Sequence, residues 1–180
     1  MKKIEIFIGS PRKNGNTVQM ADMLRMGLPS GEVTCKVNFL YDQDIKPCID
    51  CRNCTAGRME CTLKDGMSDI YPIIEDADII VVGTPVYWSG PTAVTKLLLD
   101  RFRPFYRNRR LSGKSIALLL PAGDGAPDCD LTIEMFRRAA ILLDLRFAGA
   151  VTAKAYDIGD LSGDAETGKA VNELIENLSR

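Results

Sequence analysis

Short, almost unbroken apolar runs at regular intervals constrain this chain's fold more than any other feature. Ile4-Glu5-Ile6-Phe7-Ile8 and the runs at 78–83, 115–120 and 146–151 are too short and too rich in β-branched residues to read as helices. Residues 33–40 add a weaker fifth run. Strands that are apolar at successive positions, instead of alternating ones, are covered on both faces, which predicts a parallel sheet. Between the runs the period lengthens to that of a helix. Ile70, Ile73, Ile74 and Ala77 share one face, as do Val94, Leu97, Leu98 and Phe102, and again Val171, Leu174, Ile175 and Leu178. Residues 17–28 supply a further helix, with Asn16 and Thr17 as cap candidates, and 131–143 is apolar on most sides and expected to be well buried. Strand and helix alternate five times, which predicts a doubly wound α/β sheet with helices on both faces.

Size and composition agree with one domain over 1–180. A chain of 180 residues with 46% apolar and 26% charged residues is globular in character, and a chain near this size buries roughly 70% of its unfolded surface. A net charge of −1 offers no general attraction to nucleic acid. The longest apolar stretches, such as 79–83, fall far short of the ~20 residues a membrane span needs. Glu5 interrupts the run behind Met1-Lys2-Lys3, so no signal peptide is expected and the chain reads as cytoplasmic. There is no histidine, which excludes Ser-His-Asp and Cys-His sites within this chain.

In a doubly wound sheet, ligands bind beyond the carboxyl ends of the strands. Three loops there stand out. Gly9-Ser10-Pro11-Arg12-Lys13-Asn14-Gly15-Asn16-Thr17 is rich in small donors, carries Arg12 and leads into a helix N-terminus, where free amides and the helix dipole favour an anion. It is neither a Walker A loop, since five residues separate its glycines and Asn16 follows the second, nor a dinucleotide fingerprint. A terminal phosphate neutralised by the loop's donors and Arg12 fits it. After the third strand, Thr84-Pro85-Val86-Tyr87-Trp88-Ser89-Gly90-Pro91 brings aromatic and backbone groups to the same edge. After the fourth, Pro121-Ala122-Gly123-Asp124-Gly125 allows close backbone approach. One phosphate loop and two ring-sized loops suit a flavin mononucleotide.

Four of the six cysteines fall in one loop, 47–67, as Cys48, Cys51, Cys54 and Cys61 with the spacing C-x2-C-x2-C-x6-C. Two-residue gaps turn successive thiolates toward one centre, as in bacterial ferredoxin runs, whereas structural zinc sites come as two separated pairs. Among metals a [4Fe–4S] cluster is favoured, with a disulfide-forming or empty loop and a zinc site as alternatives. Cys35, in a strand, is expected to be a buried small hydrophobe. The arginines at 101, 103, 107, 109 and 110 are expected to form a solvated loop balancing a helix C-terminus. Contact with an NADPH 2′-phosphate or a subunit interface are the sharper readings.

The first loop, the later Thr84-Pro85-Val86-Tyr87-Trp88 and Lys96-Leu97-Leu98-Leu99-Asp100-Arg101 resemble the flavodoxin-like NAD(P)H-dependent FMN reductases, and the cysteine segment resembles their iron-sulfur flavoprotein branch. The resemblance runs from Lys3 to about Gly125. It implies a five-stranded parallel sheet of order 2-1-3-4-5. The FMN phosphate would lie on Ser10, Arg12, Asn14, Asn16 and Thr17 of the first loop, the isoalloxazine against Pro85, Val86, Tyr87, Trp88, Ser89 and Gly90, and Ala122, Gly123 and Asp124 would flank it. It further implies an oxidoreductase taking hydride from NAD(P)H and passing electrons to a small acceptor, a redox protein or the cysteine-bound cluster. The flavin carries the chemistry, so no catalytic side chain is required, and a homodimer or homotetramer is expected. A flavodoxin-type FMN carrier and a non-redox module with a structural zinc loop are the alternatives.

Overall fold

The computed structural model describes residues 1–179. In chain order the elements are β1 (Lys2–Ile8), α1 (Asn16–Gly27), β2 (Val33–Phe39), α2 (Met67–Asp76), β3 (Ile79–Gly83), β4 (Val86–Tyr87), β5 (Gly90–Pro91), α3 (Ala93–Asp100), α4 (Arg103–Asn108), β6 (Ser115–Ala122), α5 (Ala126–Leu143), β7 (Arg146–Lys154) and α6 (Ala165–Ser179). Each apolar run becomes a strand. β2, β1, β3, β6 and β7 form one sheet in that order, all pairs parallel, which is the expected 2-1-3-4-5 arrangement once the two-stranded hairpin β4–β5 is set aside.

The inner strands β3 and β6 are buried at every residue, as a sheet covered on both faces requires. Ile4, Ile6, Ile8, Val81 and Leu119 pack under α1 and α6, while Phe7, Val82 and Leu118 pack under α2 to α5. β2 lies at the edge and is only half-buried. Its Cys35 is accordingly half-buried, and burial pushes the thiol up to about 11, leaving it protonated at neutral pH.

Four local expectations are corrected. Gly15, not Asn16 or Thr17, is the N-cap of α1. No side chain caps this end, because both residues are buried in the first turn and the Asn16 amide donates to the Asp157 carbonyl at 2.8 Å. The face shared by Val94, Leu97, Leu98 and Phe102 is not one helix. The chain breaks after Asp100, and α4 restarts with Pro104 in its first turn, a position proline tolerates. Residues 131–143 are not uniformly buried: Leu131, Ile141 and Leu142 face solvent, because α5 covers the sheet with one side only. Nor are the arginines simply solvated. Arg101 is 2% exposed, Arg103 pairs with Asp50, and Arg110 pairs with Glu60 and Glu75.

Candidate active site

The parallel register brings the strand ends to one edge, with Ile8 opposite Gly83, Gly83 opposite Leu119 and Leu119 opposite Val151. Buried hydroxyls lock the loops that leave this edge. Thr92 Oγ1 donates to the Gly9 carbonyl at 2.7 Å and lies 3.0 Å from Thr95 Oγ1, while the Thr92 amide donates to Thr84 Oγ1 at 3.1 Å. Gly9 is required here, since a Cβ would stand 1.8 Å from Thr95 Oγ1. The loop after β1 is thereby fixed against the loop after β3.

A cavity of about 360 Å³ opens between these loops. Ser10, Arg12, Asn16 and Thr17 line it from the first loop, Pro85, Val86 and Tyr87 from the second, and Ala122 and Gly123 from the third. Asn14, Trp88, Ser89, Gly90 and Asp124 lie outside this lining. Asn14 is exposed on the first loop, and the Asp124 amide is held by Asp128 at 3.0 Å. The cavity also takes Gly15, Pro121, Asp128, Ala155 and Tyr156, which the sequence reading missed. For the last two, the usable signal was that β7 ends at the same edge. A larger groove of about 750 Å³ lies at the opposite edge, but its cations cap helix carbonyls: Lys114 reaches those of Glu75 and Ala77, and Lys2 that of Ser179.

The cavity suits an anion attached to a flat ring. The uncapped N-terminus of α1 leaves its leading amides for a ligand, its first turn holds no acidic residue, and Arg12 adds a cation. Among the described residues Asn16 Oδ1 is buried without a hydrogen-bond partner, which is costly unless a water or a bound ligand's hydroxyl supplies a donor. On the other side, the β4–β5 hairpin turns through Trp88 and Ser89 with φ of 54° and 60°. Asparagine and glycine usually fill such positions, and left-handed non-glycine residues cost of order 1–3 kcal/mol each where sites hold them. Trp88 is fully exposed at the tip. These residues fit FMN: polar donors at one end, aromatic and small residues at the other.

The cysteine loop is a separate centre. Cys48 and Cys51 are exposed, Cys54 is buried and Cys61 half-buried. A hydrogen bond from the Asn53 amide leads the influences that lower the Cys51 thiol, and burial raises that of Cys54. Among the described residues no three Cys, Asp or Glu side chains converge as a ligand set for one metal ion. The thiols have the chemistry of a cluster shell but are not gathered into one. What closes the loop is Arg101. Its guanidinium grips Asp65 with both arms, one at 3.1 Å, and donates to the Lys46 carbonyl at 2.8 Å and to Cys61 Sγ at 3.4 Å. Asp65 in turn accepts from the Lys46 and Met67 amides. Burial would raise the Asp65 carboxyl, but Arg101 and these amides outweigh it and hold the group below its ordinary range.

Fold and site together define a doubly wound α/β protein with a cavity at the carboxyl ends of its strands. The family model described as NADPH-dependent FMN reductase matches residues 2–137, and the chain belongs to that oxidoreductase family. An iron-sulfur flavoprotein of Methanocaldococcus jannaschii is 27% identical over 187 residues, spanning 100% of this chain and 94% of its own. An iron-sulfur flavoprotein of Archaeoglobus fulgidus is 31% identical over 129 residues, 71% of this chain but only 58% of its own length. An FMN-dependent NADH-azoreductase of Bacillus anthracis, solved with FMN, superposes with a TM-score of 0.72 at 14% identity, covering 99% of this chain and 100% of that one, which shows the shared fold.

Proposed function

We propose that this chain is an FMN-dependent oxidoreductase that takes hydride from NAD(P)H and passes the electrons to a small acceptor or a redox protein. The observation that carries this reading is the cavity between the loops after β1, β3 and β6, with its uncapped helix end and unpartnered Asn16 Oδ1. FMN would supply the redox chemistry when bound. Arg12, Ser10, Asn16 and Thr17 would hold its phosphate and polar chain; Pro85, Val86, Tyr87, Ala122 and Gly123 would hold its ring. Asn14, Trp88, Ser89, Gly90 and Asp124, outside the present lining, belong to the same loops and would complete the site around the bound group. The family resemblance implies a homodimer or homotetramer, in which a second copy would cover the exposed Tyr87 and Trp88 of the hairpin.

Cys48, Cys51, Cys54 and Cys61 are proposed as the ligands of a [4Fe–4S] cluster. The spacing and the iron-sulfur relatives support this reading. No electron path is assigned through it.

The test is steady-state oxidation of NADH and NADPH by anaerobically purified protein, with iron, sulfide and zinc assayed on the same sample. Turnover with added FMN and a small acceptor, without a partner reductase, is the expected result. Bound flavin with almost no NAD(P)H oxidation would make the chain a carrier. About four irons per chain would support the cluster, and one zinc per chain would replace it with a structural site.

A further inference from the structure

The loop that follows β7 carries none of the motifs that mark the other three, yet it forms a wall of the cavity through Ala155 and Tyr156. It is held rigidly at this edge. The Ala155 amide donates to the Ala122 carbonyl at 2.8 Å, extending the β6–β7 pairing beyond the sheet. Asp160 accepts from the Tyr156 and Asp157 amides at 2.7 and 2.8 Å, closing a tight turn, and those two bonds hold its carboxyl below the ordinary range. The first loop grips the other side: Arg12 donates to the Tyr156 carbonyl at 3.3 Å and Asn16 to that of Asp157 at 2.8 Å. Both backbone groups of Tyr156 are therefore engaged.

Its side chain is not. Tyr156 is 77% exposed, and the nearest approach of its ring to Gly123 is such that a Cβ there would lie 3.6 Å from Cδ2. An aromatic ring presented at a cavity rim by a backbone fixed on both sides contributes little to the fold and suits a planar ligand. The ring stands between the first loop, gripped by Arg12 and Asn16, and Gly123 on the β6 loop. We propose that Tyr156 is a cofactor-packing residue whose ring lies against bound FMN, so that the loop after β7 forms a fourth wall of the flavin site. The inference rests on the FMN reading above and extends it to a segment that reading did not include.

The test compares Tyr156→Ala and Tyr156→Phe with the wild type. FMN affinity is read from the flavin fluorescence recovered on serial dilution of the holoprotein, and KM for NADH is measured at saturating FMN. Because the side chain is mostly in solvent, both variants, freed of flavin, should keep the melting temperature of the flavin-free wild type. Tyr156→Ala is expected to weaken FMN on the order of 10-fold, the scale of a lost aromatic stack on a heterocycle. Tyr156→Phe should bind as the wild type, since the ring and not the hydroxyl makes the contact, and KM for NADH should not move in either. Wild-type FMN affinity in Tyr156→Ala overturns the proposal, and a raised KM alongside it would place the ring against the nicotinamide instead. Equal weakening in both variants also overturns it, because the hydroxyl would then be the contact. A wild type that binds no FMN removes the parent reading itself, and this one with it.

Discussion

Arg101→Leu is expected to destabilise the fold by about 3–5 kcal/mol, the usual cost of removing one partner of a buried ion pair. In a chain of this size that is a fall in melting temperature on the order of 10 °C. The large effect comes from what stays behind. Asp65 has a side chain with no exposure and would keep its charge among the Lys46 and Met67 amides without the guanidinium. The loop between Lys46 and Asp65 would lose the clasp that joins its two ends. The pH dependence follows from the sign of the shift. In the wild type the Asp65 carboxyl is held low, so its stabilisation is complete above the unfolded value near ~3.9 and is lost as pH falls through the folded one. In Arg101→Leu burial is opposed only by the Lys46 and Met67 amides, so the carboxyl rises from its wild-type position and the variant's penalty is relieved as the group protonates. The gap between wild type and variant should therefore narrow from pH 7 toward pH 4. Thermal unfolding across that range checks it. A constant gap would mean that Asp65 is not the group left stranded.

Arg12→Ala is expected to weaken FMN binding by about 10–100-fold, the range for a lost hydrogen bond to a charged group, with little change in melting temperature. Arg12 is exposed on the first loop, and among the described residues the one hydrogen bond of its side chain is the donation to the Tyr156 carbonyl, so folding does not depend on that side chain. Arg12→Lys should recover part of the loss, keeping the charge but not the planar fork. Wild-type affinity should fall with added salt, and the alanine variant should respond less, because a phosphate–guanidinium attraction at a surface loop is screened. Riboflavin, which lacks the phosphate, should bind wild type and variant alike. If Arg12→Ala weakened riboflavin as much as FMN, the arginine would be holding the loop and not the phosphate.

The sheet was legible because burial on both faces demands apolar residues in succession, and few other structures impose that on β1, β3 and β6. The first three loops were legible because their glycines and polar residues stand immediately after those strands. Other features were hidden for physical reasons. Arg101 sits in an arginine-rich stretch that looks solvated, and its partner Asp65 is 36 residues away, beyond any local pattern. Leu131, Ile141 and Leu142 are apolar but face solvent on α5, and periodicity alone cannot say which side of a mostly apolar helix meets the sheet. Asn16 looks like a cap, yet its amide is drawn to a carbonyl 141 residues further along the chain. Tyr156 carries no motif at all. Its place in the cavity follows from the turn closed by Asp160, which only the folded backbone reveals.

Titrating the flavin-free wild-type chain with FMN, while following flavin fluorescence and the melting temperature together, tests the central claim most directly. One FMN bound per chain, with fluorescence altered on binding and a melting temperature that rises with ligand concentration, is the predicted result. A folded chain with a sharp thermal transition that neither changes the fluorescence of FMN nor gains stability from it would contradict the assignment of the cavity.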